Sequence, residues 1–334
     1  MFRSPAARLR VLLLSLACAA GAPLTADADN VIVLDSAEAK LNLIDEASRK
    51  VIATLPAGKE PHHLMITPDG RTLLVANSVS DNLMFVDPPT GRVTGTLQDI
   101  EDPYQLGFSP DGKWFVTNAL RLDRVDIYHY GAPLHFTLAK RLPLAKMPSH
   151  MTFSIDNRTV YVSLQESGEV AAIDLPTQTV AWRVQVGRDP AGLWMTPDNR
   201  HLLVGMTGED DVAVLDCVTH QVVKRIHTGR GAHNFRSLDD GRHVAVTNRV
   251  DSTISVLDYT TLTNTGDITG LMPGPDDMEL SADKRFLWVT FRFSRHVGVI
   301  DLSTRKLVTA IAVGRSPHGI FFADRAPVYA PNPD

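Results

Sequence analysis

The sequence predicts an all-β fold, a seven-bladed β-propeller with four antiparallel strands per blade. Three observations carry that prediction. One phrase, Pro61 to Asn77 (P-H-H-L-M-I-T-P-D-G-R-T-L-L-V-A-N), returns in altered form along the chain. Its register residue, Pro61, recurs as Pro103, Pro148, Pro190, Ala232, Pro275 and Pro317, at spacings of 42, 45, 42, 42, 43 and 42 residues by subtraction. The two ends of the chain carry complementary fractions of one blade.

At the N-terminus, Arg3, Arg8 and Arg10 precede an apolar run, Val11 to Ala20, and then small residues ending Ala26-Asp27-Ala28. Residues 1–26 read as a secretory signal peptide, too short to anchor the chain by spanning a membrane, and residues 27–334 as a single propeller domain. Cys18 invites a lipoprotein reading, which Leu16 in the preceding Ser15-Leu16-Ala17 disfavours. A periplasmic protein is therefore expected, a monomer with no transmembrane segment. Loss of three arginines and no acids moves the formal net charge from -5 to -8. An acidic surface argues against general binding of nucleic acid or anionic membranes. Cys217 is the one cysteine outside the leader, so no internal disulfide can close the ring, and closure falls to strand pairing.

The mature chain opens with V-I-V-L-D (Val31 to Asp35), A-K-L-N-L-I-D ending at Asp45, and K-V-I-A-T-L (Lys50 to Leu55). These match the second, third and fourth strands of a blade that lacks its first. Ile320 to Ala323, after Pro317-His318-Gly319, is a first strand with no blade of its own. The last blade is accordingly expected to be closed by N- and C-terminal strands, which removes the exposed edges of an open sheet.

Within the first full blade, Leu64 to Thr67 and Thr72 to Ala76 are short apolar runs around Pro68-Asp69-Gly70, a strand, tight turn and strand. Asn82 to Val86 and Arg92 to Leu97 supply the third and fourth strands. The Asp-Gly turn recurs as Asp111-Gly112, Asp156-Asn157, Asp198-Asn199, Asp240-Gly241, Asp283-Lys284 and Asp324-Arg325, the last two being weaker turn formers. Third strands end in an Asp followed three residues later by Ser or Thr, at Asp45/Ser48, Asp87/Thr90, Asp174/Thr177, Asp216/Thr219, Asp258/Thr261 and Asp301/Thr304. Both side chains can bond turn amides, so these pairs read as structural staples. Blade two departs: three extra residues in H-Y-G-A-P-L-H-F predict an irregular loop there.

The second strands read L-V-A-N (Leu74 to Asn77), F-V-T-N (Phe115 to Asn118), A-V-T-N (Ala245 to Asn248) and W-V-T-F (Trp288 to Phe291), each after an S-P-D-G-like turn. This pattern resembles the YVTN family of β-propeller repeat proteins, YncE-like and related to haem d1-type propellers, over the whole mature chain. The resemblance implies the fold. Similar families include haem d1 domains of cytochrome-type nitrite reductases, periplasmic proteins that handle that haem, and lactonase-like propellers, so the fold alone does not choose a function.

Chain direction gathers the loops into first strands, and those from second to third strands, on one funnel face around the central channel. The two positions after each register residue hold His62-His63, Tyr104-Gln105, Ser149-His150, Ala191-Gly192, His233-Asn234, Asp276-Asp277 and His318-Gly319. Five of the twelve histidines fall on these fourteen positions, so the ring is enriched in imidazole. Neutral imidazole with carboxylate is a donor set for Cu, Zn or the iron of a haem. The ligand and metal candidates are His62, His63, His150, His233, Asp276, Asp277 and His318. Arg121, Arg124, Arg249, Arg292 and Arg295, on the same face, are candidates for anion binding, because guanidinium pairs well with carboxylate and phosphate. A purely structural reading stands beside this one: Pro-His steps copied by duplication, with the rings bonding neighbouring backbones.

No G-x-S-x-G, C-x-x-C, P-loop or H-E-x-x-H is present, which leaves covalent haem attachment, phosphate-loop chemistry and a zincin site without support. The chain is expected to bind a small molecule, metal cofactor or periplasmic protein partner at the funnel face without catalysing a reaction. Metal or haem d1-type binding by the histidines is one alternative, with affinity falling as pH drops through the imidazole value of about 6.5. A lactonase-like hydrolase using Asp277, His318 and Arg292 is the other.

Overall fold

Seven four-stranded antiparallel sheets make up the computed structural model, which describes residues 30–324. The leader, Cys18 and Arg325 of the seventh turn lie outside the described residues. Blade one runs through Pro61–Ile66, Leu73–Asn77, Asn82–Val86 and Val93–Gln98, and the later blades repeat that order. Burial separates the strands by radius. The second strands are almost wholly buried, as in Leu73–Asn77 and Thr159–Leu164. The fourth strands alternate between exposed and half-buried, as in Thr179–Gln185, the pattern of a sheet edge with one wet face. Apolar side chains from adjacent blades fill the wedges between sheets. Val116, Ile127, Phe153 and Val162 of blades two and three form one such core.

Closure occurs where the chain ends predict it. The strand Pro317–Phe322 pairs with Asn30–Asp35, with Val31 opposite Phe322 and Val33 opposite Ile320. The seam is reinforced by Gly314 N–H donating to Asp35 Oδ2 (2.9 Å) and by Arg315 N–H donating to Glu38 Oε1 (3.0 Å).

Two local expectations change. The Asp-Gly turn, expected to be tight, is a four-residue loop: Thr67 and Thr72 close it (2.8 Å), and Gly70 sits inside at φ 70°. Thr67 Oγ1 donates to Asp69 (2.6 Å), whose carboxylate also accepts Arg71 N–H (3.2 Å), so the side chains hold the longer loop. Blade two has no irregular loop, because its extra residues lengthen a hairpin, Arg124–Gly131 with His135–Pro143. Edge-to-face packing of Tyr130 against Phe108 (4.9 Å) and of Phe136 against Phe115 (4.9 Å) fastens that hairpin to the blade. The Asp staples form as expected, for instance Ser48 N–H to Asp45 (2.7 Å) and Thr219 N–H to Asp216 (2.8 Å).

The feature that matters for the channel is a β-bulge at the start of every first strand. In blade one, Pro61 pairs with Asn77 but Leu64 pairs with Val75, so one residue is extra. The same slip occurs in the other six blades. A bulge re-aims side chains and leaves amides without ladder partners. In blades three, five and six the Thr or Ser before the last residue of the second strand takes one of them. Ser163 accepts His150 N–H (3.1 Å), Thr247 accepts Asn234 N–H (3.1 Å) and Thr290 accepts Asp277 N–H (3.0 Å).

Two outcomes are expected. Replacing Thr290 by Val leaves the Asp277 amide buried and unpaired, at a cost of about 1–3 kcal/mol in urea unfolding; a cost near zero would show that the hydroxyl does not support the bulge. Deleting everything after Arg315 removes the buried Phe321 and Phe322. At about 3–5 kcal/mol for each such side chain, against a typical total of about 5–15, the truncated chain should lose cooperative melting in calorimetry, and a wild-type melt would refute closure as the source of stability.

Candidate functional site

The bulges bring the seven predicted ligand candidates to the channel axis. His62, His63, His150, His233 and His318 are 1, 7, 1, 2 and 0% exposed, and Asp276 and Asp277 are 0 and 8% exposed. The rings of His62, His63 and His318 form a triangle, with centroid distances of 4.7 Å (62 to 63), 4.0 Å (62 to 318) and 4.7 Å (63 to 318). Their ligand atoms lie within 4.8 Å of one another, as do those of Asp276, Asp277 and His318. His150 sits beside the triangle, 5.5 Å from His63 and 4.8 Å from His233 between ring centroids.

Blade four contributes only Ala191 and Gly192. A Cβ on Gly192 would stand 2.0 Å from the carbonyl oxygen of His233, so a side chain there would collide with the blade-five bulge.

Hydrogen bonding determines which nitrogens are free. His63 Nδ1 lies 2.8 Å from the carbonyl oxygen of Tyr104 and His150 Nδ1 3.2 Å from Ser149 Oγ. Donation from His63 Nδ1 places that ring's lone pair on Nε2. His63 Nε2, His150 Nε2 and His318 Nε2 are buried without a hydrogen-bond partner among the described residues, whereas His233 Nδ1 and His318 Nδ1 face the carboxylate of Asp276. A buried polar atom left unpaired costs about 1–3 kcal/mol, so three of them in one cluster mark it as a candidate ligand site.

Asp276 is the charge centre. Arg249 donates to it from Nε (2.8 Å) and Nη2, Arg292 donates from Nη1 (3.3 Å), and His318 Nδ1 and His233 Nδ1 stand 3.0 and 3.3 Å away. Burial alone would raise this carboxyl, but Arg249, His318 and His233 together hold it well below the usual carboxylate range. Asp277, which accepts from Asn234 Nδ2, is raised instead, because burial outweighs its cationic neighbours. Burial lowers His62, His63 and His233 well below the ordinary 6.5 and His150 to about 3. These rings are neutral at pH 7 and remain so below 6.5, so the expected loss of affinity at the free imidazole value moves to lower pH.

Of the five arginine candidates, only Arg249 and Arg292 reach the axis. Arg121 pairs with Asp102 and Glu60, Arg124 with Glu101 and Asp126, and Arg295 with Glu38, all carboxylates of the rim and blade edges that sequence distance conceals. Tyr104 is a site residue that charge-based reasoning passed over. Its ring lies 4.0 Å from that of His62, and burial pushes its hydroxyl up to about 12. Its position at the register was the available signal.

The axis suits a single ion better than a macrocycle. Nitrogen bonds of about 2.1 Å in tetrahedral geometry put neighbouring ligands about 3.4 Å apart, so a triangle whose donors lie within 4.8 Å of one another has to tighten to close on an ion. A planar tetrapyrrole does not fit between buried rings whose centroids are 4.0–4.7 Å apart.

The neutral buried rings give a stability signature. Below 6.5 the unfolded chain takes up protons that His62, His63, His150 and His233 refuse while folded, so stability is complete above 6.5 and is lost as pH falls toward about 3, the His150 value. The Tm of metal-free protein should therefore drop steadily below pH 6.5, and less steeply in His150→Gln. Parallel Tm profiles for the two proteins would contradict burial as the cause.

Comparison with known proteins places this geometry in context. A family described as YNCE-like beta-propeller matches residues 6–328. No curated protein matches the chain in sequence. Among solved structures, a protein of unknown function from Desulfotomaculum acetoxidans superposes with TM-score 0.76 at 15% identity, covering 88% of this chain and 98% of its own. Dihydro-heme d1 dehydrogenase NirN, in complex with DHE, gives 0.69 at 16% identity, with 90 and 77% covered. Kuenenia stuttgartiensis hydrazine synthase gives 0.63 at 18%, with 78 and 88% covered. At these identities the likeness shows the fold alone.

Proposed function

Since the chain belongs to the YNCE-like β-propeller family, whose fold surrounds a central channel, we propose that it is a binding protein for a transition-metal ion, Cu or Zn, held by His62, His63 and His318. The observation that carries this reading is the set of three buried, unpartnered imidazole nitrogens, His63 Nε2, His150 Nε2 and His318 Nε2, converging on one channel beside His62. Neutral nitrogen donors favour these borderline metals over Mg or Ca, which prefer oxygen. Asp277 is the nearby carboxylate able to join as an oxygen ligand, while Asp276 is committed to Arg249 and Arg292 and acts as a fixed counter-charge. His150 and His233 complete the imidazole wall.

Residues 1–26 have the charge and hydropathy of a leader and support export, which would place the metal site in the periplasm. A hydrolytic role for Asp277, His318 and Arg292 has less support. His318 is 0% exposed, and Arg292 points to Asp276 rather than to space for an ester.

Calorimetric titration of metal-free protein with Cu(II), Zn(II) and haem tests the reading. The wild type should bind one of the ions and no haem, and the triple variant His62→Ala, His63→Ala, His318→Ala should lose more than about a hundredfold in affinity with unchanged strand content by circular dichroism. Identical isotherms, or a wild type that binds neither ion, would make the histidine cluster structural.

A further inference from the structure

Resting on the metal reading above, we infer that the axial site takes its ion together with a small oxyanion or carboxylate, gripped by Arg249 and Arg292. The first ground is position. Both residues directly follow second strands, His243–Asn248 and Phe286–Phe291, and so stand on the funnel-face loops. Their side chains turn inward to Asp276 yet remain 17 and 24% exposed, whereas His62, His318 and Asp276 are at most 1% exposed. The arginines form the solvent side of the site.

The second ground is unused donor capacity. Arg249 spends Nε and Nη2 on Asp276, and Arg292 spends Nη1. Among the described residues, Arg249 Nη1 and Arg292 Nε and Nη2 make no hydrogen bond. Two guanidinium groups with N–H edges to spare, pinned by one carboxylate, are a preorganised clamp for a second anion.

The third ground is charge. Two guanidinium groups and the Asp276 carboxylate leave one positive charge, and even an ionised Asp277 brings that only to neutrality. A divalent ion added to a buried cluster so arranged leaves at least two positive charges away from water, which is costly unless compensated. Glu279, on the same strand as Asp276 and Asp277, is paired with Arg236 (2.6 Å). An anion from solution supplies the missing charge, and its oxygen can enter the ion's coordination shell while its remaining oxygens face the arginines. Carboxylate and phosphate share this chemistry.

The test loads the full-length mature protein with Cu(II) in anion-depleted buffer, then adds ¹³C-formate or phosphate. In the wild type, one of these should tighten Cu(II) binding at least tenfold by titration and produce a ¹³C or ³¹P hyperfine coupling in pulsed electron–nuclear double resonance. A ¹³C coupling identifies a carboxylate, a ³¹P coupling a phosphate. In Arg249→Gln/Arg292→Gln the anion dependence and the coupling should both disappear, with Arg249→Lys/Arg292→Lys, which keeps the charge but not the fork, losing the coupling as well. Cu(II) binding by the wild type that ignores both anions and shows neither coupling overturns this inference and leaves the metal site standing. A wild type that binds no Cu(II) and no Zn(II) overturns both.

Discussion

The constraint on which the structure depends is the extra residue at the start of each first strand. A regular strand sends successive side chains to opposite faces, so only one of His62 and His63 could face the channel. The bulge breaks that alternation in all seven blades and presents two consecutive side chains together. Its cost is an unpaired amide per blade, and the hydroxyls of Ser163, Thr247 and Thr290 meet that need in blades three, five and six. Thr247 of A-V-T-N and Thr290 of W-V-T-F thus have a mechanical role, supporting the backbone defect, whereas Thr117 of F-V-T-N makes no such bond among the described residues.

Electrostatics then organises the axis asymmetrically. Blades five and six carry Arg249, Asp276, Asp277 and Arg292 together with His233, while blades one, three and seven carry imidazole. One half of the channel is therefore charged and locked by bidentate guanidinium contacts, and the other half is a soft nitrogen surface. Blade four contributes no ligand, and Gly192 lets the blade-five backbone approach closely. Sevenfold repetition supplies equal radius, and the differences between copies supply chemistry.

Closure links this site to global stability. His318 lies on the same short strand whose Phe321 and Phe322 bind the two ends of the chain together. A ligand held by His318 together with His62 and His63 would bridge the closing strand to blade one, and such binding to the folded state alone adds stability by mass action.

Much was determined by the sequence itself. The period near 42, the Asp-Gly loops, the Asp-x-x-Thr staples and the split last blade all depend on local turn chemistry and on spacing, which act within a few residues. The axial ring was legible for the same reason, since any residue just after Pro61, Pro103, Pro148, Pro190, Ala232, Pro275 or Pro317 must lie near the axis of a closed propeller. Only the tertiary structure decided which side chains meet there. Whether Arg249 reaches Asp276 while Arg295 turns to Glu38 depends on partners 27 and 257 residues away by subtraction, and the bulge that turns His62 and His63 inward together is a property of pairing between strands. Burial, too, belongs to the folded ring: it is the desolvation of five converging imidazoles, absent from any one repeat, that keeps His62, His63, His150 and His233 neutral and suited to hold a metal.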